Sequence, residues 1–432
     1  MKNDANLQCS YCCKPATKVE RLFKSEHGAN ICNECVALLN EQTADLDAQN
    51  TVTVAVATTA EVPEHDECIR AAFDALSVMP TPREINEYLN EHVIGQDDAK
   101  KTLSVAVYNH YKRRAHDEHL DDIELGKSNL LLIGSTGTGK TEIARAIARK
   151  CDVPFVIVDA NSLTAAGYVG DDAETIVTRL IDAAGGDLKR AERGMIYIDE
   201  LDKLAKRGES MSITKDVSGE EVQNALLKLI EGSVIAAPLN ASGRKHPGGE
   251  VHMIDTTGIL FICAGAFEGL DKIIEKRLEK GSIGFGASVS TGRKNRTGDL
   301  FKQVINQDLL DFGIKSELLG RLPVVTTLED LTVDILVRIM SDPKNALVSQ
   351  FHRMFDMELI ELVFTETALQ RIATDALKSK TGARGLRSQM EKILMDDMFE
   401  APDMEDVERI VVDVVDDQVQ TSRVMKVARK AA

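Results

Sequence analysis

The segment Gly134-Ser135-Thr136-Gly137-Thr138-Gly139-Lys140-Thr141 follows the apolar run Asn129 to Ile133 and opens a helical stretch, and no other part of the chain restricts its fold so strongly. The spacing G-x-x-x-x-G-K-[ST] calls for a strand, a glycine-rich loop and a helix in immediate succession. Backbone N–H groups from Gly134 to Gly139 wrap phosphates, Lys140 reaches the β- and γ-phosphates, and the Thr141 hydroxyl takes a place on Mg²⁺. The positive end of the helix dipole adds to the same anion site. ATP and Mg²⁺ are therefore the expected cofactors.

Further apolar runs, Phe155 to Val158, Met195 to Ile198, Gly258 to Cys263 and Pro323 to Thr326, alternate with helical stretches. Short buried strands separated by helices predict an α/β fold with a parallel sheet covered on both faces. Met195 to Ile198 runs directly into Asp199 and Glu200, an expensive place for two carboxylates without a cation. Asp199 would orient Mg²⁺ and Glu200 would polarise the water that attacks the γ-phosphate. Without the glycine-rich loop, the same residues would read as a strand end followed by a solvated acidic turn through Asp202.

Five of the eight cysteines lie in the first 35 residues, as Cys9-Ser-Tyr-Cys12-Cys13 and Cys32-Asn-Glu-Cys35. Two C-x-x-C pairs separated by 19 residues suit a Zn²⁺ site of four thiolates, Cys9, Cys12, Cys32 and Cys35. Cys13 could replace Cys12, and a redox dithiol is the alternative chemistry. So short a segment has little core of its own, so the metal would supply much of its folding free energy. Cys68, Cys151 and Cys263 stand singly in apolar surroundings and read as small buried residues.

Composition narrows the function. With 52 Lys and Arg against 69 Asp and Glu, the net charge of -17 disfavours a surface that coats nucleic acid. The N-terminus lacks the apolar region of a signal peptide and no apolar run approaches the length of a membrane span, so a cytoplasmic location away from membranes is expected. No G-x-S-x-G or H-E-x-x-H occurs, which suits a chain without peptidase chemistry of its own.

Organisation follows: a zinc-binding domain over residues 1–50, a Thr-, Ala- and Val-rich linker over 51–80 with a short helix near Ile69 to Leu76, an ATPase domain over 81–328 and a small, mainly helical domain over 329–432. Thr81 with Pro82 reads as a helix N-cap followed by proline at the first helical position. In the last domain helices are expected over Leu331 to Met340, Pro343 to Phe355, Glu366 to Ser379 and Arg384 to Met398, and a strand over Ile410 to Val415.

The order of motifs resembles the ClpX family, AAA+ unfoldases that partner the ClpP peptidase. It runs from the cysteine quartet through Val93-Ile94-Gly95-Gln96, the phosphate loop, Gly167-Tyr168-Val169-Gly170, Asp199-Glu200, Arg244-Lys245-His246, Ile283-Gly284-Phe285 and Gly320-Arg321 to Gly382-Ala383-Arg384. The resemblance implies an AAA+ fold and a homohexamer that unfolds tagged or adaptor-delivered proteins. It implies that Val93 and Ile94 contact adenine, that Arg321 acts in trans as an arginine finger, and that Arg384 senses the γ-phosphate. Tyr168 and Val169 would grip the translocating chain, with a second pore loop over Ser212 to Gly219. Arg244, Lys245 and His246 would attract the degradation tag, and Ile283, Gly284 and Phe285 would dock on ClpP. The zinc segment would take adaptor proteins and is a candidate to dimerise. No first sensor is assigned, because Thr257 to Ala264 shows no asparagine at its end.

Overall fold

The computed structural model describes residues 9–10, 12, 14–15, 18–24, 30–37, 76–119, 125–163, 173–205, 217–238, 251–281, 297–379 and 381–426. The chain parts into two compact units, Met1–Glu64 and His65–Ala432, at a point inside the expected linker. Cys68, the Thr/Val-rich stretch, the two pore-loop segments before residue 217, Arg244 to His246 and Ile283 to Phe285 lie outside the described residues.

In the first unit, strands β1 (Leu22–Lys24) and β2 (Asn30–Cys32) pair antiparallel, with Leu22 opposite Cys32. The second unit opens with helices α1 (Pro82–His92) and α2 (Asp97–His119). Thr81 caps α1 through a full capping box with Glu84, and Pro82 occupies the first turn, where its missing N–H costs nothing.

From here strands and helices alternate: β3 (Leu130–Ile133), α3 (Lys140–Cys151), β4 (Phe155–Asp159), α4 (Ala173–Ala183), α5 (Leu188–Ala191), β5 (Met195–Asp199) and α6 (Val217–Glu231). A hairpin of β6 (Val234–Pro238) and β7 (Val251–Asp255) leads to β8 (Leu260–Gly265), α7 (Leu270–Gly281), α8 (Thr297–Phe301), α9 (Asn306–Phe312), α10 (Ser316–Gly320) and β9 (Val324–Thr327). The sheet has the order β4-β5-β8-β3-β9, and every neighbouring pair is parallel. Two apolar cores cover its faces, since alternate residues of each strand point to opposite sides. Along β5, Ile196 and Ile198 enter one core while Met195 and Tyr197 enter the other.

The remainder comprises α11 (Val333–Ser341), α12 (Leu347–Asp356), β10 (Glu361–Phe364), α13 (Glu366–Lys378), α14 (Ala383–Glu400), β11 (Val407–Val415) and β12 (Gln418–Met425), around a separate apolar core. The expected late strand lies within β11, which pairs parallel to β10 and antiparallel to β12. The expected helix from Pro343 begins four residues later, at Leu347. Among the described residues, no helix is long and apolar enough to cross a membrane.

Candidate functional site

All five strands of the parallel sheet point their C-terminal ends the same way, which is where an open α/β sheet binds ligands. The phosphate loop leaves β3, and its central glycine packs on the C-terminal segment. A Cβ on Gly137 would lie 3.0 Å from the Thr381 carbonyl oxygen and 3.2 Å from the Ala383 nitrogen, and φ there is +82°. Only glycine permits that approach and that backbone together. Gly382 precedes α14, so Arg384 stands in the first turn of a helix seated on the loop.

Lys140 is buried at the start of α3, and its ammonium donates to the carbonyl oxygens of Gly134, at 2.5 Å, and Ser135, at 3.0 Å. Burial pushes its pKa down to about 8; Asp199 opposes that fall and Arg384 adds to it. Two cations, Lys140 and Arg384, thus share one cradle with the carboxylates of Asp199, Asp202 and Glu200, and burial rather than the balance of charge holds the Lys140 pKa down.

Thr141 follows at 3.2 Å from Asp199 Oδ2 and 3.3 Å from the Tyr197 hydroxyl. A hydroxyl beside a carboxylate oxygen is the hard oxygen donor set that Mg²⁺ takes, together with water and phosphate. The donor chemistry fits Mg²⁺ bound with a nucleotide. Asp199 Oδ1 accepts from the Glu200 N–H at 3.0 Å, and Glu200 itself adopts φ 58° and ψ 32°. A left-handed glutamate costs roughly 1–2 kcal/mol, a strain that aims its side chain away from the line of β5. Its Oε2 accepts from Asn161 Nδ2. Asn161 lies just beyond β4, in a short 3₁₀ turn capped by Asp159, and Asp159 pairs with Asp199 in the sheet. Asn161 carries no local sequence signal, because only the sheet register joins residues 161 and 200.

Asp202 also departs from the acidic turn that was the alternative reading. It is buried, and its Oδ1 accepts from the Ala266 N–H at 3.1 Å. A Cβ on Gly265 would meet that oxygen at 2.5 Å, so the end of β8 is closed to any side chain there.

Val93 and Ile94 are buried and, with Asn86, Asn90, Gly95, Asp97, Lys100 and Arg338, line a cavity of about 300 Å³. Gln96, unassigned from sequence, binds the backbone of Glu329 twice, donating to its carbonyl at 2.9 Å and accepting from its N–H at 2.7 Å. Next to it, Asp330 accepts from Ser135 Oγ at 2.8 Å. The connection to the C-terminal core is therefore held by a residue beside this cavity and by one in the phosphate loop. Arg321 lies apart from this cluster: at the C-cap of α10 it is exposed and pairs with Glu231 at 2.9 Å.

In the first unit, Sγ atoms of Cys9, Cys12, Cys32 and Cys35 lie within 4.8 Å of one another. Cys9 and Cys35 are 3.9 Å apart and Cys12 and Cys32 3.6 Å apart. A tetrahedron with Zn–S bonds of about 2.3 Å has edges of about 3.8 Å, so the quartet fits Zn²⁺. The β1–β2 hairpin presents Cys32 at its strand end, where its N–H donates to Cys9 Sγ at 3.3 Å. Cys13 lies outside the described residues, whereas Cys151 and Cys263 are buried in the second unit.

A phosphate loop, paired acidic residues on the next strand but one and a helical segment clasping the loop define a P-loop ATPase of the AAA+ class with a zinc module. Residues 126–325 match the AAA domain (Cdc48 subfamily), residues 7–44 the ClpX C4-type zinc finger, and residues 331–414 the C-terminal, D2-small domain of ClpB protein. The chain is 45% identical over 406 residues to the ATP-dependent Clp protease ATP-binding subunit ClpX of Treponema denticola, covering 94% of this chain and 92% of that protein. It belongs to the ClpX family.

Proposed function

We propose that this ATPase unfolds and translocates polypeptides marked by degradation tags or brought by adaptors, and feeds them to the ClpP peptidase from a cytoplasmic homohexamer. The domains are read as 1–50, 51–80, 81–328 and 329–432. The observation that carries the reading is the convergence of Lys140, Thr141, Asp199, Glu200 and Arg384 at the ends of β3 and β5, in a chain related to ClpX over 94% of its length.

In this reading Lys140 turns from the loop carbonyls to the β- and γ-phosphates, and Arg384 holds the γ-phosphate from α14. Thr141 and Asp199 hold Mg²⁺, which supplies positive charge to the phosphate oxygens when bound. Val93 and Ile94 enclose the base. Glu200 orients water and takes its proton, with the Asn161 amide fixing the carboxylate. Arg321, exposed on its own subunit, is free of the cluster it would serve and supplies its guanidinium to a neighbour's phosphates. Tyr168 and Val169 grip the substrate by nonspecific contact, Arg244, Lys245 and His246 draw acidic or carboxylate ends, and Ile283, Gly284 and Phe285 dock on the peptidase.

The test incubates the protein with ATP, ClpP and a stably folded, tagged substrate. Loss of the folded signal is expected with the wild type and not with Glu200→Gln, which still binds ATP. Persistence of the substrate with active wild-type ATPase and peptidase would overturn the proposal.

A further inference from the structure

Tyr197 entered the sequence reading only as one more member of an apolar strand. It is fully buried on β5, in the core that contains Leu132 and Ile143. Being two residues before Asp199, it points to the same side of the sheet. Its hydroxyl accepts from the Thr141 hydroxyl at 3.3 Å, and the Asp199 carboxylate lies close by. A phenylalanine would fill this core position without burying a polar atom. The hydroxyl instead ends on Thr141, one of the two side chains assigned above to the metal.

The proton count explains what it does there. Thr141 has one hydroxyl proton and two acceptors in reach, Tyr197 at 3.3 Å and Asp199 Oδ2 at 3.2 Å. If Asp199 takes that proton, the carboxylate oxygen is engaged and less available to a cation. If the phenol oxygen accepts it, Asp199 Oδ2 is left free and the Thr141 oxygen keeps its lone pairs for a cation. The other carboxylate oxygen, Oδ1, is already steadied by the Glu200 N–H. We infer that Tyr197 is a positioning residue for the metal–nucleotide complex, accepting from Thr141 so that Thr141 and Asp199 Oδ2 both present lone pairs to Mg²⁺. This rests on the reading of Thr141 and Asp199 as the metal ligands.

Outer partners of this kind typically change metal affinity by about 10–100-fold when removed. The test measures binding of a fluorescent ATP analogue to the full-length protein, in EDTA and across a Mg²⁺ titration, for wild type, Tyr197→Phe, Thr141→Ala and the double variant. Tyr197→Phe keeps the ring and its packing. It should leave the affinity in EDTA within about twofold while cutting the strengthening by Mg²⁺ about tenfold. The double variant should bind no more weakly than Thr141→Ala, because Tyr197 acts through Thr141. A wild-type Mg²⁺ titration in Tyr197→Phe overturns the inference, and a lowered melting temperature accompanying it assigns the hydroxyl to stability alone. Full Mg²⁺ strengthening in Thr141→Ala would instead remove the ligand assignment beneath it, and the inference with it.

Discussion

Glu200 shows how a single residue is prepared for its chemistry. Its left-handed backbone, its N–H on Asp199 and its carboxylate on Asn161 fix three parts of one residue. Removing the amide should leave nucleotide binding nearly intact and disorient the base. Asn161→Ala is expected to lower kcat for ATP about tenfold, with KM changed less than about twofold. Steady-state ATPase assays check this, and an unchanged kcat would mean that the backbone alone aims Glu200. Lys140, Thr141, Asp199 and Glu200 were legible in the sequence because their contexts are contiguous: apolar strand, then loop or carboxylates. Asn161 and Tyr197 were not. One acts across the β4–β5 register and the other hides its hydroxyl in an apolar pattern, so neither carries a local signal.

At the scale of elements, the five sheet strands were legible to within two residues because each is an apolar run bounded by polar sequence. The C-terminal β12 was not. It reads Gln-Val-Gln-Thr-Ser-Arg-Val-Met, is mostly exposed at a sheet edge, and buries too little to mark itself. Its turn, Asp416-Asp417, has φ of 49° and 62°, the double left-handed geometry of a two-residue hairpin, with aspartates where glycine usually signals it. The β6–β7 hairpin escaped for a similar reason, with two alanines and a proline in β6. The zinc module illustrates the reverse case, in which a few residues declare an element with hardly any core. Among the described residues, its buried cluster is formed by Cys9, Cys32 and Cys35, with Val19, Leu22 and Ile31 packed against it. The apparent binding free energy of such zinc sites, about 10–16 kcal/mol, is also their folding free energy. Cys32→Ser should therefore release zinc and expose residues 1–64 to protease. ATPase turnover should stay within about twofold, because the contacts that build the second unit are its own. Metal analysis, limited proteolysis and ATPase assays on the same sample check this, and a parallel collapse of turnover would refute that independence.

For the whole molecule, an acidic chain of net charge -17, the role proposed for Arg321 is the one that bears on assembly. The Arg321–Glu231 pair is exposed on both sides, and such pairs are worth about 0–1 kcal/mol, so Arg321→Ala should fold normally. If the guanidinium serves a neighbouring site, the variant should bind ATP and hydrolyse it very slowly. Glu200→Gln should be equally slow for a different reason: its own site lacks the base, although its Arg321 is intact. Mixing the two in equal amounts then becomes decisive. An active site needs a Glu200-bearing subunit beside an Arg321-bearing one, and random rings supply that arrangement at about one site in four. Dissociated and reassembled mixtures should regain about a quarter of the wild-type turnover per subunit if sites act independently, and less if they are coupled. Residual activity no greater than the average of the two separate variants would place the action of Arg321 within its own subunit. Complementation would require neighbours to share a site, which is the physical basis for a ring rather than a monomer at work.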